Sequence, residues 1–383
     1  MLALVWLLYT AFGMVSRSIS PLITPIIRDL NLSYSQMGLI LGSWQLTYIV
    51  VAVFAGNLID RWGIRKSLSW GVIFIGLSAA LRYFSRGFAT FLPMIALFGV
   101  GGPMISIGAP KTISIWFSGR SRATAVGIYT TGSWLGGFVA LAATNSLIMP
   151  LAQNSWRLTF VFYGVMTFAI GLLWWSLARD VKPIETEESS SLRVTITRFI
   201  GVTNIRIILI LGLLSFAISH GFTNWLPKIL EGSGLTAKSA GLMASLPTLC
   251  GIPAALSIPR LVSPAKRSRF IIVFALAISL ALWLAMNTSG TILILGLLLF
   301  GIANSSLFPL TTLVLMELPE VGSRYMGSVG GMFFCVAEVG GFLGPLVMGT
   351  LADLTHTFFS GTIFLMSLSL AIAIMASRLS VRE

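Results

Sequence analysis

Gly56-Asn57-Leu58-Ile59-Asp60-Arg61-Trp62-Gly63-Ile64-Arg65-Lys66 is a short charged turn between two long apolar runs. Gly63 supplies a tight bend, and one acid, Asp60, stands among the bases Arg61, Arg65 and Lys66. At the end of its apolar run, Asp60 can cap a neighbouring helix N-terminus or pair with Arg65. Such pairs would tie the segments flanking the turn to each other and must break when those segments part. Gly56, Asp60, Arg61, Gly63, Arg65 and Lys66 are therefore expected to form a gating loop.

Outward from this turn the chain is strongly apolar. Its 383 residues are 56% hydrophobic and 10% charged, against about 25% charged in soluble domains. No water-soluble fold of this length hides so much apolar surface, so an all-α protein of the lipid bilayer is expected. Eleven Trp and 25 Phe suit lipid-facing and interfacial surfaces. At about 20 residues per crossing, twelve transmembrane helices are predicted: 2–27, 36–59, 67–84, 89–116, 122–148, 156–178, 204–229, 236–258, 270–287, 290–316, 325–352 and 357–378. The fourth holds Pro93, Pro103 and Pro110 and should be kinked or tilted. Residues 179–203 read as a charged, flexible cytoplasmic linker between two six-helix bundles, 1–178 and 204–383.

The net charge of +13 invites a nucleic-acid partner, but the bases cluster in short loops between apolar runs. Seventeen of the 25 Lys and Arg fall on the side of the N-terminus. Six lie opposite: Arg28, Arg82, Arg86, Arg157, Lys228 and Lys238. Arg17 and Lys111 are inside spans. By the positive-inside rule both termini are cytoplasmic in the cell's inner membrane, and no nucleic acid is expected. Cys250 and Cys335 sit in separate apolar segments as packing residues, and no cleavable leader is expected ahead of Arg17, Pro21 and Pro25. Two histidines, two separated cysteines and one mid-span acid assemble no metal site, cofactor site or catalytic group, so an enzyme is not expected.

The halves repeat. An offset of 203 residues carries Gly38-Leu39 onto Gly241-Leu242, Leu32 onto Leu235 and Arg17 onto His220. Trp134-Leu-Gly-Gly-Phe138 matches Glu338-Val-Gly-Gly-Phe342, and Phe98-Gly99 matches Phe300-Gly301. Six spans, a central loop and six related spans is the arrangement of parallel-repeat transporters.

The opening stretch resembles the loop motif of the major facilitator superfamily, Gly-x-x-x-Asp-Arg-x-Gly-x-Arg-Lys, and the resemblance covers nearly the whole chain. It implies two pseudo-symmetric six-helix bundles that rock about a central solute. The corresponding loop Pro259-Arg-Leu-Val-Ser-Pro-Ala-Lys-Arg-Ser-Arg269 keeps its bases but lacks the acid. Drug–proton antiporters of the superfamily carry a Gly-Pro pair in span five. Here that span reads Gly132-Ser-Trp-Leu-Gly136-Gly137, without the proline. Arg17 followed by Pro21, Trp156-Arg157 entering span six, and Trp116-Phe117 before Arg120 look more like cyanate/nitroimidazole-type and organic-anion permeases.

Polar residues at membrane depth carry the functional reading. A charge there costs roughly 3 kcal/mol or more, and a guanidinium fits a carboxylate through two parallel hydrogen bonds. Arg17, sharing its face with Gly13, Pro21 and Thr24, is either a solute contact or one half of a fixed ion pair. His220 shares its face with Asn224 and Pro227; it can complete the anion's shell or change protonation near neutral pH. Glu338 can pair with Arg17, take up a proton, or hold helices together beside Gly340 and Gly341. Its repeat mate Trp134 could wall the cavity. Lys111 is a second anion contact or a snorkelling residue. Gln45, Tyr48, Tyr129 and Asn304 are further substrate-binding candidates.

The expected activity is secondary transport of a small organic or inorganic anion by alternating access, coupled to protons, in a monomer. Export of hydrophobic drugs and a non-transporting membrane sensor are the alternatives. The sensor would need a soluble output domain, which the sequence does not contain.

Overall fold

A computed structural model describes residues 1–179 and 199–379, so most of the expected linker lies outside the described residues. The described chain is helical, and twelve of its helical segments are long and apolar enough to cross a membrane. They run Leu2–Leu30, Tyr34–Trp62, Ile64–Phe84, Phe88–Trp116, Gly119–Leu151, Trp156–Leu177, Thr203–Gly232, Ala237–Leu261, Pro264–Asn287, Gly290–Glu317, Ser328–Thr355 and Phe359–Ala376. These are the twelve expected spans, with ends shifted by a few residues.

Local chemistry sets several ends. Ser33 and Gln36 form a capping box: Ser33 Oγ accepts from the Gln36 N–H, and Gln36 Oε1 accepts from the Ser33 N–H. This starts span two, which runs to Trp62 and stops because Gly63 adopts φ 81°. A side chain rarely tolerates that backbone, so glycine suits the turn. Span four is distorted at Leu97, between Phe88–Ala96 and Phe98–Trp116, yet Leu97 keeps helical dihedrals and its N–H still donates to the Pro93 carbonyl at 3.0 Å, a kink within one span. Pro93, Pro103 and Pro110 each lack the N–H that an unbroken helix would use, which is why this span cannot run straight. Span five carries a π-helical turn, Thr144–Ile148, just before its last residues, Met149–Leu151.

Span one departs most from expectation. A helix runs Leu2–Arg17, a 3-10 turn occupies Ser20–Leu22, and a short helix follows from Ile23 to Leu30. Arg17 is therefore the last residue of its helix and not a residue within a continuous one.

By packing, the chain forms two compact units. One is Met1–Ile184 with Thr223–Leu249, the other Glu185–Phe222 with Cys250–Glu383. Division by chain order and grouping by packing thus differ at spans seven and eight, each of which is shared. In the first unit span one packs against span five, span three against spans four and six, and span two against span four. In the second, span nine lies against spans ten and twelve.

The repeat reappears as matching contacts inside each unit. A Cβ on Gly136 of span five would overlap the Thr10 carbonyl and crowd the Met14 nitrogen of span one. A Cβ on Gly340 of span eleven would overlap the Leu213 carbonyl and crowd the Ala217 nitrogen of span seven. The same offset relates all these residues to within one position. Backbone approaches backbone at both places, the usual device where lipid provides no hydrophobic drive between helices.

Candidate functional site

Arg17 stands where the first helix stops, half-buried. Its Nη1 donates to Thr223 Oγ1 at 2.6 Å and to Asn224 Oδ1 at 3.1 Å. Asn224 is 4% exposed and its Oδ1 also accepts from Ser20 Oγ at 3.4 Å. Arg17 thus binds an amide and a hydroxyl, both neutral. Three ion pairs occur among the described residues, Asp60–Lys111, Asp29–Arg157 and Arg267–Glu317, and none includes Arg17 or Glu338.

Around this centre lie further contacts of the first unit. Thr24, on the short helix, donates to the Glu231 carboxylate. Asn145, in the π turn of span five, donates to the carbonyls of Pro21 at 2.9 Å and Ala237 at 3.2 Å. The Cγ of Arg17 borders Gly137, which leaves no spare room on that side. About two helical turns back from Arg17, near 12 Å along the axis, phenols gather. Tyr48 shares a hydrogen with Ser106 Oγ at 2.6 Å, Tyr9 donates to the Ser106 carbonyl at 3.4 Å, and the Tyr9 and Tyr129 rings meet edge-on at 4.9 Å. Gln45 is fully buried in span two, and Trp134 is half-buried in span five.

The second unit holds the remaining candidates. Glu338 is 3% exposed, and its Oε2 has no hydrogen-bond partner among the described residues. Asn304 donates to Ser219 Oγ at 3.1 Å, beside His220, whose ring lies 5.5 Å from that of Phe216.

In the charged turn, the ion-pair partner of Asp60 is Lys111 of span four, where the sequence suggested Arg65. Arg65 instead donates through Nε and Nη2 to the Trp175 carbonyl, at 3.0 and 2.5 Å, and covers the Trp175 indole at 4.7 Å. A cation there meets the carbonyl end of span six. Arg61 and Lys66 are exposed, and a Cβ on Gly56 would meet open space. The acid missing from the corresponding loop of the second half is supplied by span ten: Arg267, 8% exposed, pairs with Glu317. The Asp60–Lys111 pair is part-exposed, and exposed pairs contribute little. A double-mutant cycle over Asp60→Ala and Lys111→Ala, read by thermal unfolding in detergent, should return a coupling of about 0.2–1 kcal/mol. A coupling well above that range would mark a desolvated latch.

A family model described as Major Facilitator Superfamily matches residues 5–345. The chain belongs to the Major Facilitator Superfamily. This superfamily member is 25% identical over 387 residues to the hexuronate transporter of Bacillus subtilis (strain 168), covering 94% of this chain and 88% of that one. It is 26% identical over 369 residues to the probable L-galactonate transporter of Escherichia coli (strain K12), covering 86% and 78%. Among solved structures, the inward-open xylose transporter XylE from E. coli superposes with a TM-score of 0.80 at 14% identity, over 99% of this chain and 95% of that one, which speaks to the fold alone. Relatives and fold are those of multi-pass membrane transporters, not of enzymes.

Sequence reasoning about this superfamily member passed over four residues. Thr223 and Ser20 are repeat mates at the offset of 203, and both lie at the Arg17 cluster; the alignment that gave Arg17 and His220 already contained them. Asn145 shows no signal in the sequence, because its two partners are carbonyls on distant spans. Arg82, counted among the loop bases of the opposite side, is 1% exposed and inside the bundle. Two of its contacts, Ser18 and Phe160, lie on other spans, and position near the end of an apolar run could not reveal them.

Proposed function

We propose that this transporter moves a small organic anion of the sugar-acid class by alternating access, coupled to protons. It would sit in the inner membrane as a monomer with both termini cytoplasmic. One observation carries the reading: Arg17, at a break in span one, is held by neutral partners and by no carboxylate among the described residues. A carboxylate arriving from solution supplies the missing counter-charge through the fork geometry of the guanidinium. With Asn224 Oδ1 occupied by Arg17 and Ser20, its amide nitrogen is left to donate to the anion. The phenols and Ser106 suit hydroxyl groups further along the solute, and the relatives' names, a hexuronate and an L-galactonate transporter, support that class. His220, the repeat mate of Arg17, and Asn304 are proposed as further solute contacts.

Uptake of radiolabelled glucuronate and galactonate into proteoliposomes tests the reading; saturable uptake of neither, with inorganic anions also refused, would reject it. Glu338 is proposed as the proton carrier. Glu338→Gln should abolish accumulation driven by a pH gradient while solute exchange at equal pH persists. Gradient-driven uptake at the unaltered rate would remove Glu338 from that role.

A further inference from the structure

The first unit buries a second arginine that the anion site does not use. Arg82 closes span three with 1% of its surface exposed. Its Nη1 donates to Ser18 Oγ at 3.1 Å and its Nη2 to Ser78 Oγ at 3.2 Å. The guanidinium lies 4.8 Å from the centre of the Phe160 ring. Among the described residues its Nε has no hydrogen-bond partner and no ion pair includes it. Like Arg17, it is a cation whose hydrogen-bond partners are neutral groups, and burying a charge without a counter-charge is costly. A leucine or methionine would fill the space without that cost, so packing alone does not explain it.

What Arg82 touches indicates its use. Ser18 follows Arg17 directly and is fully buried. Its N–H and its hydroxyl both reach the Val15 carbonyl, at 3.4 and 2.8 Å. With its hydrogen committed there, Ser18 Oγ receives the Arg82 proton on a lone pair. Ser78 repeats the pattern, donating to the Met94 carbonyl at 2.7 Å while accepting from Arg82. One guanidinium thus joins spans three and four to the stop of the first helix. The carbonyl end of that helix is a partial negative charge, which favours a cation at this spot.

We propose that Arg82 is a positioning residue for the anion site: by holding Ser18 Oγ it fixes where the first helix ends, and so the direction in which Arg17 presents its guanidinium. The proposal rests on the reading of Arg17 as the anion contact. Small misplacements of a binding group can cost about 100-fold, so loosening this anchor shows in affinity before it shows in stability.

The experiment separates the link from the charge. Ser18→Ala removes the acceptor and leaves Arg82 charged; Arg82→Met removes both; Arg82→Lys keeps the charge and loses the fork. KM and Vmax for glucuronate and galactonate uptake are measured in proteoliposomes, with melting temperatures in parallel. The expected result is a KM raised roughly tenfold in Arg82→Met and several-fold in Ser18→Ala, with Vmax little changed. The double variant should be no worse than Arg82→Met alone, the non-additivity of residues acting through one contact, and Arg82→Lys should recover part of the loss. The proposal is overturned if Ser18→Ala keeps the parental KM, if the two effects multiply, or if only melting temperatures move. Should Arg82→Met fail to fold, Ser18→Ala decides alone. Arg17→Ala in the same assay separates the layers. If it retains its KM, or if neither acid binds the parent protein, the underlying reading fails as well; if it alone loses affinity, only the role of Arg82 fails.

Discussion

Arg17→Ala is expected to abolish concentrative uptake of the sugar acid while leaving the protein folded. Truncating one side of a desolvated, hydrogen-bonded charge pair costs about 2–5 kcal/mol of binding, and each 1.4 kcal/mol is tenfold. Affinity should therefore fall by roughly 30-fold to 3,000-fold. Arg17→Lys keeps the charge and loses the two-pronged geometry, so it should fall between the variant and the parent. Stability gives an independent reading. A structural arginine paired with a protein acid would leave that acid buried and alone when removed, a loss of about 3–5 kcal/mol. Arg17 holds Thr223 and Asn224, both neutral, so Arg17→Ala should melt close to the parent. Titration calorimetry with glucuronate and thermal unfolding in the same detergent check both halves. Unchanged affinity with a lowered melting temperature would assign Arg17 to scaffolding.

The second large effect concerns Gly136. A Cβ there would overlap the Thr10 carbonyl of span one and crowd the Met14 nitrogen. No rotamer relieves a clash with backbone, so the two helices must separate. Overpacking commonly costs about 1–3 kcal/mol, sometimes more. Helix separation here also disturbs Arg17, which borders Gly137 in the same contact. Gly136→Ala should lower the melting temperature sharply, and Gly136→Val should leave little folded protein on size-exclusion chromatography. The control is Gly127 in the same helix, where a Cβ meets nothing within 4 Å. Gly127→Ala should be neutral or slightly stabilising, since alanine is favoured over glycine in a helix by up to about 1 kcal/mol. Equal behaviour of the two alanine variants would show that the close approach does not matter.

Much of the fold was legible because hydrophobic length, basic loops and the charged turn are local properties of the chain. Gly63 was readable as a bend since few other residues adopt its backbone conformation. The match of Trp134-Leu-Gly-Gly-Phe138 with Glu338-Val-Gly-Gly-Phe342 was visible in the sequence, and the paired glycine contacts of spans five and eleven fall within it. The interruption of span one was not legible. Hydropathy averages over Ser18, Ser20 and Pro21, and an arginine at a helix end looks the same in sequence as one inside a helix. Partners were harder still. Asp60 and Lys111 are separated by a whole span, and while Ser78 is one turn from Arg82 on its own span, the ties of Arg82 to Ser18 and Phe160 exist only once three spans are packed. Residue type announced that Arg17 and Glu338 were costly, while the identity of what surrounds them belongs to tertiary structure.

The stop of the first helix also has a mechanical meaning. Span one is two rods and a joint: Leu2–Arg17, clamped along span five, and Ile23–Leu30, eight residues long. At 1.5 Å per residue the short rod measures about 12 Å, so swinging it by roughly 20° carries its tip about 4 Å, the width of a carboxylate. The short rod is itself tied, by Thr24 to Glu231 and by Asp29 to Arg157, so any such swing must first break two contacts that the clamped portion does not share.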